Sequence, residues 1–363
     1  MIKRQGAGWY KKGEEAMRSS IVVAAVIAVA SSVANAQDVT LTLNTPGGAI
    51  QDGGKAVLWG PAAEKLGVAV KEETADNALD VLRLEAGSGT VKTDIIIMSG
   101  YQAAIAGAEG LLEPLDYSVI DASSFMEGSA APYCVGIYGV AATMAWNTKT
   151  YAAGAPSTWA DFWDTEKFPG KRAMRADAEA QIEMALLADG VPAADLYEVM
   201  STDEGLARAM DKIASLKPNI SIWWTSGAQH SQLMKDGEVD MSTGWNARFQ
   251  AAKDAGGPAD YTYNQGILSV DCFAVIKGSA HKAEAMKLVA EMSKGEAQAK
   301  LTKYISYGPL NLDAYKTGLI SPEVEAVLPT SPANGATLVV MDNDWWAKNN
   351  DKAQQMFEDM MTE

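Results

Sequence analysis

Ile222–Arg248, I-W-W-T-S-G-A-Q-H-S-Q-L-M-K-D-G-E-V-D-M-S-T-G-W-N-A-R, is the stretch that decides how this chain reads. A tryptophan pair, Trp223-Trp224, runs into a Thr-Ser-Gly turn. The residues after it predict an amphipathic helix with Leu233 inward and Asp236-Gly237 at its end. Val239, Met241 and Trp245 then recur at even spacing, the period of a half-buried strand. Trp245 therefore falls where a strand gives way to a loop, and in open α/β sheets ligands bind outside such strand ends. A lone Trp is ordinarily a packing residue. What sets Trp245 apart is its polar company, Asn246 and Arg248. Nothing in the stretch is an obvious nucleophile, base or metal cluster, so it reads as a recognition surface.

Working outward, Val39–Leu43 alternates as a strand does, and Pro46-Gly47-Gly48 turns toward a helix around Lys55–Leu66. Val68–Val70 reads as a second strand, Ala75–Glu85 as a helix and Asp94–Met98 as a compact apolar strand. This β-α-β-α-β order implies a parallel sheet with helical crossovers. Ser99-Gly100-Tyr101 lies at the carboxyl end of the third strand. Tyr151–Lys171, with its Pro, Gly and Trp residues, reads as a surface segment packed by Trp159 and Trp163. Further helices are expected over Ala180–Ala188, Thr202–Ala214, Ala280–Lys294 and Asp344–Met361, and a strand near Tyr261–Leu268.

The N-terminus carries an uncharged apolar run, Ile21–Ala30, preceded by Arg18 and followed by Ala34-Asn35-Ala36. That pattern predicts an export signal over residues 1–36, too short for a span of about 20 residues. Glu14 and Glu15 are unusual for such a leader, so Met1 and Met17 both stand as starts. Removing residues 1–36 takes five basic and two acidic side chains from a net charge of −16 and leaves −19. Nucleic acid, which needs basic patches, is a poor partner for such a chain. About 327 remaining residues suggest two lobes rather than one core.

Catalytic and metal chemistries find little support. A hydrolytic triad needs a His converging with residues from other elements. His230 sits beside Ser231 on what reads as a polar helix face, and His281 begins a surface helix. Two His and two Cys argue against the usual zinc sites. Gly87-Ser-Gly-Thr90 lacks the Gly-Lys-Ser/Thr ending of a phosphate loop. Tyr304 and Tyr307 keep a ferric binder of the same architecture in view. No enzyme activity, cofactor or metal is expected.

The Ile222–Arg248 arrangement resembles the spermidine/putrescine-binding group of ABC-transporter solute-binding proteins. The resemblance extends to Thr158-W-A-D-F-W-Asp164, Phe168-P-G-K-Arg172, Glu183-M-A-L-L-A-D-Gly190, Ser306-Y-G-P-L-Asn311 and Leu328-Pro-Thr330. It implies an α/β, two-lobed periplasmic-binding-protein fold of type II, hinged by crossing strands. The first lobe would take 37–144 and 272–317, the second 145–271 and 318–363. It also implies a monomeric periplasmic receptor that captures an amine-bearing solute such as putrescine or spermidine in the inter-lobe cleft. The receptor would hand this solute to an inner-membrane ABC permease. Cys134 and Cys272 flank runs that are neighbouring crossing strands in that fold. A disulfide there is one reading and two buried thiols the other.

Residue by residue, the resemblance assigns ligand contacts to Ser99, Tyr101, Asp177, Trp245, Asp271, Tyr307 and Trp346. Glu183, Trp223 and Arg248 are further candidates. An ammonium desolvated in a closed cleft needs a counter-charge or a π face, which is the role given to Asp271 and the aromatics. Each has a plainer alternative: Asp177 and Ser99 as helix caps, the tyrosines and Trp223 as packing residues. The chain departs from the family pattern in several places. Ala247 stands where Gly is usual, Ser269 where Trp is usual, and Ala180 where Glu is usual, with Glu179 or Glu183 as stand-ins. The first-strand aromatic is replaced by Pro46-Gly47-Gly48, and Gly308-Pro309 is transposed. One Asp clamp survives cleanly, which favours a short amine. Arg248 and Arg175 point further, to a ligand carrying a carboxylate as well, such as an amino acid or γ-aminobutyrate.

Overall fold

The computed structural model describes residues 39–75 and 77–363. The export signal expected over 1–36 lies outside them. Among the described residues no helix is long and apolar enough to cross a membrane.

The strands are β1 (Thr40–Thr45), β2 (Ala69–Thr74), β3 (Ile95–Ser99), β4 (Leu112–Glu113), β5 (Ala130–Ala131) and β6 (Cys134–Asn147). They continue with β7 (Arg172–Arg175), β8 (Ile220–Trp224), β9 (Met241–Trp245), β10 (Ala259–Ile276), β11 (Gly308–Pro309) and β12 (Val339–Val340). Eight of them form a path in the order β2-β1-β3-β10-β6-β9-β7-β8. The expected β-α-β-α-β start is present, with β1 parallel to both β2 and β3. The two long strands, β6 and β10, are antiparallel to each other and shared by both halves. Asp271–Val275 of β10 pairs with β3, whereas Ala142–Trp146 of β6 pairs with β9. One lobe is thus built on β1–β3 and the other on β7–β9, with β6 and β10 crossing between them.

Separate cores confirm the division. Leu41, Leu43, Ile95, Ile97, Phe273 and Val289 pack on one face of the first lobe. Met174, Ile182, Leu186, Leu206, Ile213 and Phe357 pack in the second. The long C-terminal helix, Asn343–Thr362, buries Trp345, Trp346 and Phe357 in the second lobe. Its start also reaches across to the first, where the side chain of Asn343 fills the space a Cβ on Gly100 would take.

Three local expectations are corrected. The helix expected over Lys55–Leu66 is two helices, Gly48–Val57 and Trp59–Leu66, broken at Leu58. β9 is buried on both faces rather than half-buried, because it lies between β6 and β7 with helices on either side. Trp245 is followed by a helix, Asn246–Asp254, not a loop; Phe249 and Ala252 form its short buried face.

Cys134 and Cys272 form a disulfide that closes a loop of 138 residues and joins the first-lobe ends of the two crossing strands. A loop of that length is worth up to about 5 kcal/mol in the chain-entropy account. Replacing both cysteines by alanine is expected to cost about 2–5 kcal/mol, read as a lower midpoint in denaturant unfolding. An unchanged midpoint would show that the bridge adds nothing to the fold.

Candidate functional site

Strand ends from both lobes surround a cavity of about 720 Å³. Ser99 at the end of β3, Asp271 on β10, Trp245 at the end of β9, and Tyr307 and Arg248 line it, all of them candidates from the sequence. Arg175 and Glu179 line it as well, as does Tyr138, which the sequence did not single out.

Asp271 sits at a register shift. It faces Tyr138 on β6, while the next residue, Cys272, faces Gly136. Such a bulge re-aims a side chain, and bulges concentrate beside sites. No Lys or Arg reaches ion-pair distance of Asp271 among the described residues. Burial therefore raises its pKa to about 6, and the Tyr138 hydroxyl, donating to the carboxylate, offsets part of that rise. Tyr138 in turn stacks on Tyr307, with centroids 5.2 Å apart and planes 25° from parallel. Burial pushes Tyr307 up to about 12, so its hydroxyl stays a donor at neutral pH. The result is a carboxylate without a cation, walled by two aromatic rings.

Across the cavity, Arg248 projects from the first turn of the Asn246–Asp254 helix and is exposed. It has no carboxylate at ion-pair distance among the described residues. Trp245 is fixed between Trp224, edge-on at 5.4 Å, and the Arg175 guanidinium, 5.3 Å over its ring. His230 supports this wall from behind. It is fully buried, not on a polar face, because His230, Leu233 and Met234 share the inward side of their helix. Its ring lies 4.4 Å from Trp224, and burial drives its pKa down to about 3, so it is neutral. Gly244 makes room for it: a Cβ there would stand 2.6 Å from the imidazole. Asn246 is also no ligand group. Its side chain is consumed by the Ala141 amide, the Tyr263 hydroxyl and the Ser306 carbonyl.

Trp346, Glu183, Trp223, Tyr101 and Asp177 are not among the residues that line the cavity. Trp346 is fully buried and donates its indole N–H to Glu183 at 2.7 Å. Glu183 accepts a second bond from Tyr197 at 3.0 Å, and burial raises its pKa to about 7. Both belong to the second-lobe core. Glu179, not Glu183, is therefore the acid that faces the cavity in place of the missing Glu at Ala180. Trp223 meets Phe357 edge-on at 6.0 Å, toward the C-terminal helix rather than the cleft. Tyr101 packs on Trp346, with centroids 6.5 Å apart. Asp177 does not cap a helix, since the next one starts at Gln181 with Ala180 before it; it pairs with Arg175 instead. Ser99 stands at the cap position of the Gly100–Ala108 helix without making the cap bond, and its hydroxyl has no partner among the described residues. Among the described residues no group of three His, Cys, Asp or Glu side chains is placed to hold a metal ion.

Two α/β lobes on shared crossing strands, with a polar and aromatic cleft between strand ends, define a bilobal solute-binding protein. Comparison with known proteins agrees. Residues 61–334 match the family described as bacterial extracellular solute-binding protein, and the chain belongs to that family. It is 33% identical over 328 residues to the gamma-aminobutyric acid-binding protein of Pseudomonas aeruginosa, covering 90% of this chain and 92% of the relative. It is 25% identical over 280 residues to spermidine/putrescine-binding periplasmic protein 1 of Haemophilus influenzae, covering 73% and 72%. The crystal structure of an ABC transporter substrate-binding protein from Bradyrhizobium japonicum superimposes with a TM-score of 0.84 at 36% identity, covering 89% of this chain and all of the other. The chain is thus the substrate-binding component of an ABC importer, a carrier that delivers a small molecule to a permease rather than an enzyme.

Proposed function

We propose that the cleft captures a zwitterionic amine of the γ-aminobutyrate kind, with its ammonium on Asp271 and its carboxylate on Arg248. One observation carries this reading: a carboxylate lacking a cation and a guanidinium lacking a carboxylate line the same cavity. The lining supplies three acids, Glu179, Asp254 and Asp271, and three bases, Arg175, Arg248 and Lys303. That balance, in a chain of net charge −16, suits a ligand with no net charge better than a polycation. The 33% identical relative, named for gamma-aminobutyric acid, fits the same reading.

Asp271 lies on the part of β10 paired with the first lobe, and Arg248 on a helix of the second. A ligand charged at both ends therefore joins the lobes, and its differential affinity for the closed state drives closure. The exported chain would work as a monomer in the periplasm, and Asp271, the last residue of the 145–271 segment drawn from the sequence, goes with the first lobe through its pairing with Ser99. A diamine is the second reading. Glu179, a second acid of the same cavity, and the Haemophilus influenzae relative favour it.

Thermal unfolding of the mature chain against putrescine, spermidine, γ-aminobutyrate, betaines, common amino acids, dicarboxylates and ferric citrate tests the choice. A ligand at a hundred times its dissociation constant adds about 2.7 kcal/mol. The expected result is a clear upward shift with γ-aminobutyrate or another amino acid. A shift with diamines alone would overturn the zwitterion in favour of the second reading.

A further inference from the structure

Arg175 differs from the other two bases of the cavity. Arg248 and Lys303 hold no carboxylate among the described residues, whereas Arg175 holds two, Asp177 at 3.4 Å and Glu179 at 3.5 Å. The three side chains are 21, 35 and 20% exposed, so water and salt screen them less than a surface pair. The backbone enforces the arrangement. The Arg175 amide donates to Thr243 Oγ1 at 3.2 Å and its guanidinium rests over Trp245. Asp177 accepts from the Glu179 amide at 2.9 Å, and Ala180 takes a left-handed φ of 65°. That conformation costs a non-glycine residue energy and persists where the surroundings impose it. Both acids of the turn are thereby brought to one guanidinium.

A diamine needs a carboxylate for each ammonium. Asp271 serves one end. Glu179, a further acid of the lining, is spent on Arg175, which also holds Asp177. We infer that Arg175 is a specificity-determining residue that excludes diamines from the cleft by holding Glu179, a cavity carboxylate that a second ammonium would use. The inference rests on the zwitterion reading, since it explains why a cleft with more than one acid takes only one ammonium.

Calorimetric titrations of putrescine and of γ-aminobutyrate into the wild-type chain and into Arg175→Gln test it. Freed of the guanidinium, Glu179 is expected to tighten putrescine binding at least tenfold. Arg175→Lys, which keeps the charge, is expected to leave the putrescine constant within threefold of wild type. Should Arg175→Gln fail to fold by circular dichroism, Arg175→Met, which keeps the stem against Trp245, carries the same test. Unchanged or weaker putrescine binding in the folded variant overturns the inference alone. A wild-type chain that prefers putrescine to γ-aminobutyrate overturns the inference and the zwitterion reading together.

Discussion

Asp271→Ala is expected to weaken binding of an amine-bearing ligand by roughly thirtyfold or more, in a chain that still folds. Removing one partner of a desolvated, hydrogen-bonded charge pair costs about 2–5 kcal/mol, because the other charge is left buried and unpaired. Asp271 is the only acid of the cavity wall that the bulge in β10, the Tyr138 hydroxyl and the stacked Tyr138–Tyr307 pair converge upon. The ligand-free protein should respond in the opposite sense. Its carboxylate is half-buried and desolvated without a cation, so at neutral pH it destabilises the fold. Asp271→Asn, which keeps the shape and loses the charge, is expected to raise ligand-free stability by on the order of 2 kcal/mol. Looser binding with a firmer fold is the signature of a site preorganised at a cost in stability. Equal affinity in wild type and Asp271→Ala would remove Asp271 from the site.

Acidification supplies the second large effect. The Asp271 carboxyl titrates near pH 6 in the ligand-free protein, and only its ionised form pairs with an ammonium. Lowering the pH from 7.5 to 5 should therefore weaken binding about tenfold, and Asp271→Asn should lose this dependence. His230, held near 3, stays neutral throughout that window. Stability moves the other way. A carboxyl whose folded pKa lies above its unfolded value binds its proton more tightly in the folded state. The fold thus gains stability as pH falls from above 6 toward about 4. Glu183, raised to about 7, has the same sign and lies away from the cavity, so it adds to the stability change and not to the affinity change. A pH titration by calorimetry, with unfolding followed in parallel, separates the two. Affinity that holds constant from pH 7.5 to 5 would show that Asp271 does not face the ligand's charge.

Much of the fold was legible. The β1–β3 unit follows from apolar periodicity and spacing, and the crossing strands from the family resemblance, while the Cys134–Cys272 bridge was one of two open readings. The site was half legible, for physical reasons. Arg248, Trp245, Ser99 and Tyr307 sit at or near element ends, where sequence reading looks for ligands, and Asp271, inside β10, came from the family resemblance. Tyr138 was hidden because V-G-I-Y-G-V reads as a buried strand, and nothing local says that one register position opens on a cavity. β7 was missed because R-A-M-R has charged ends. Arg172 is nonetheless fully buried, its guanidinium bound to the carbonyls of Phe162, Gly170 and Phe168. Trp346 was drawn to the ligand because Trp345-Trp346 carries no sign of how its helix is rotated. The helix turns both indoles into the core. Whether Arg175 is free or held depends on how the turn 176–180 folds back, which composition does not reveal.

The most direct test is a calorimetric titration of the ligand-stripped mature chain with γ-aminobutyrate and, separately, with putrescine, at pH 7.5. The zwitterion account predicts one γ-aminobutyrate per chain, bound at least tenfold more tightly than putrescine. Tighter binding of putrescine would contradict it.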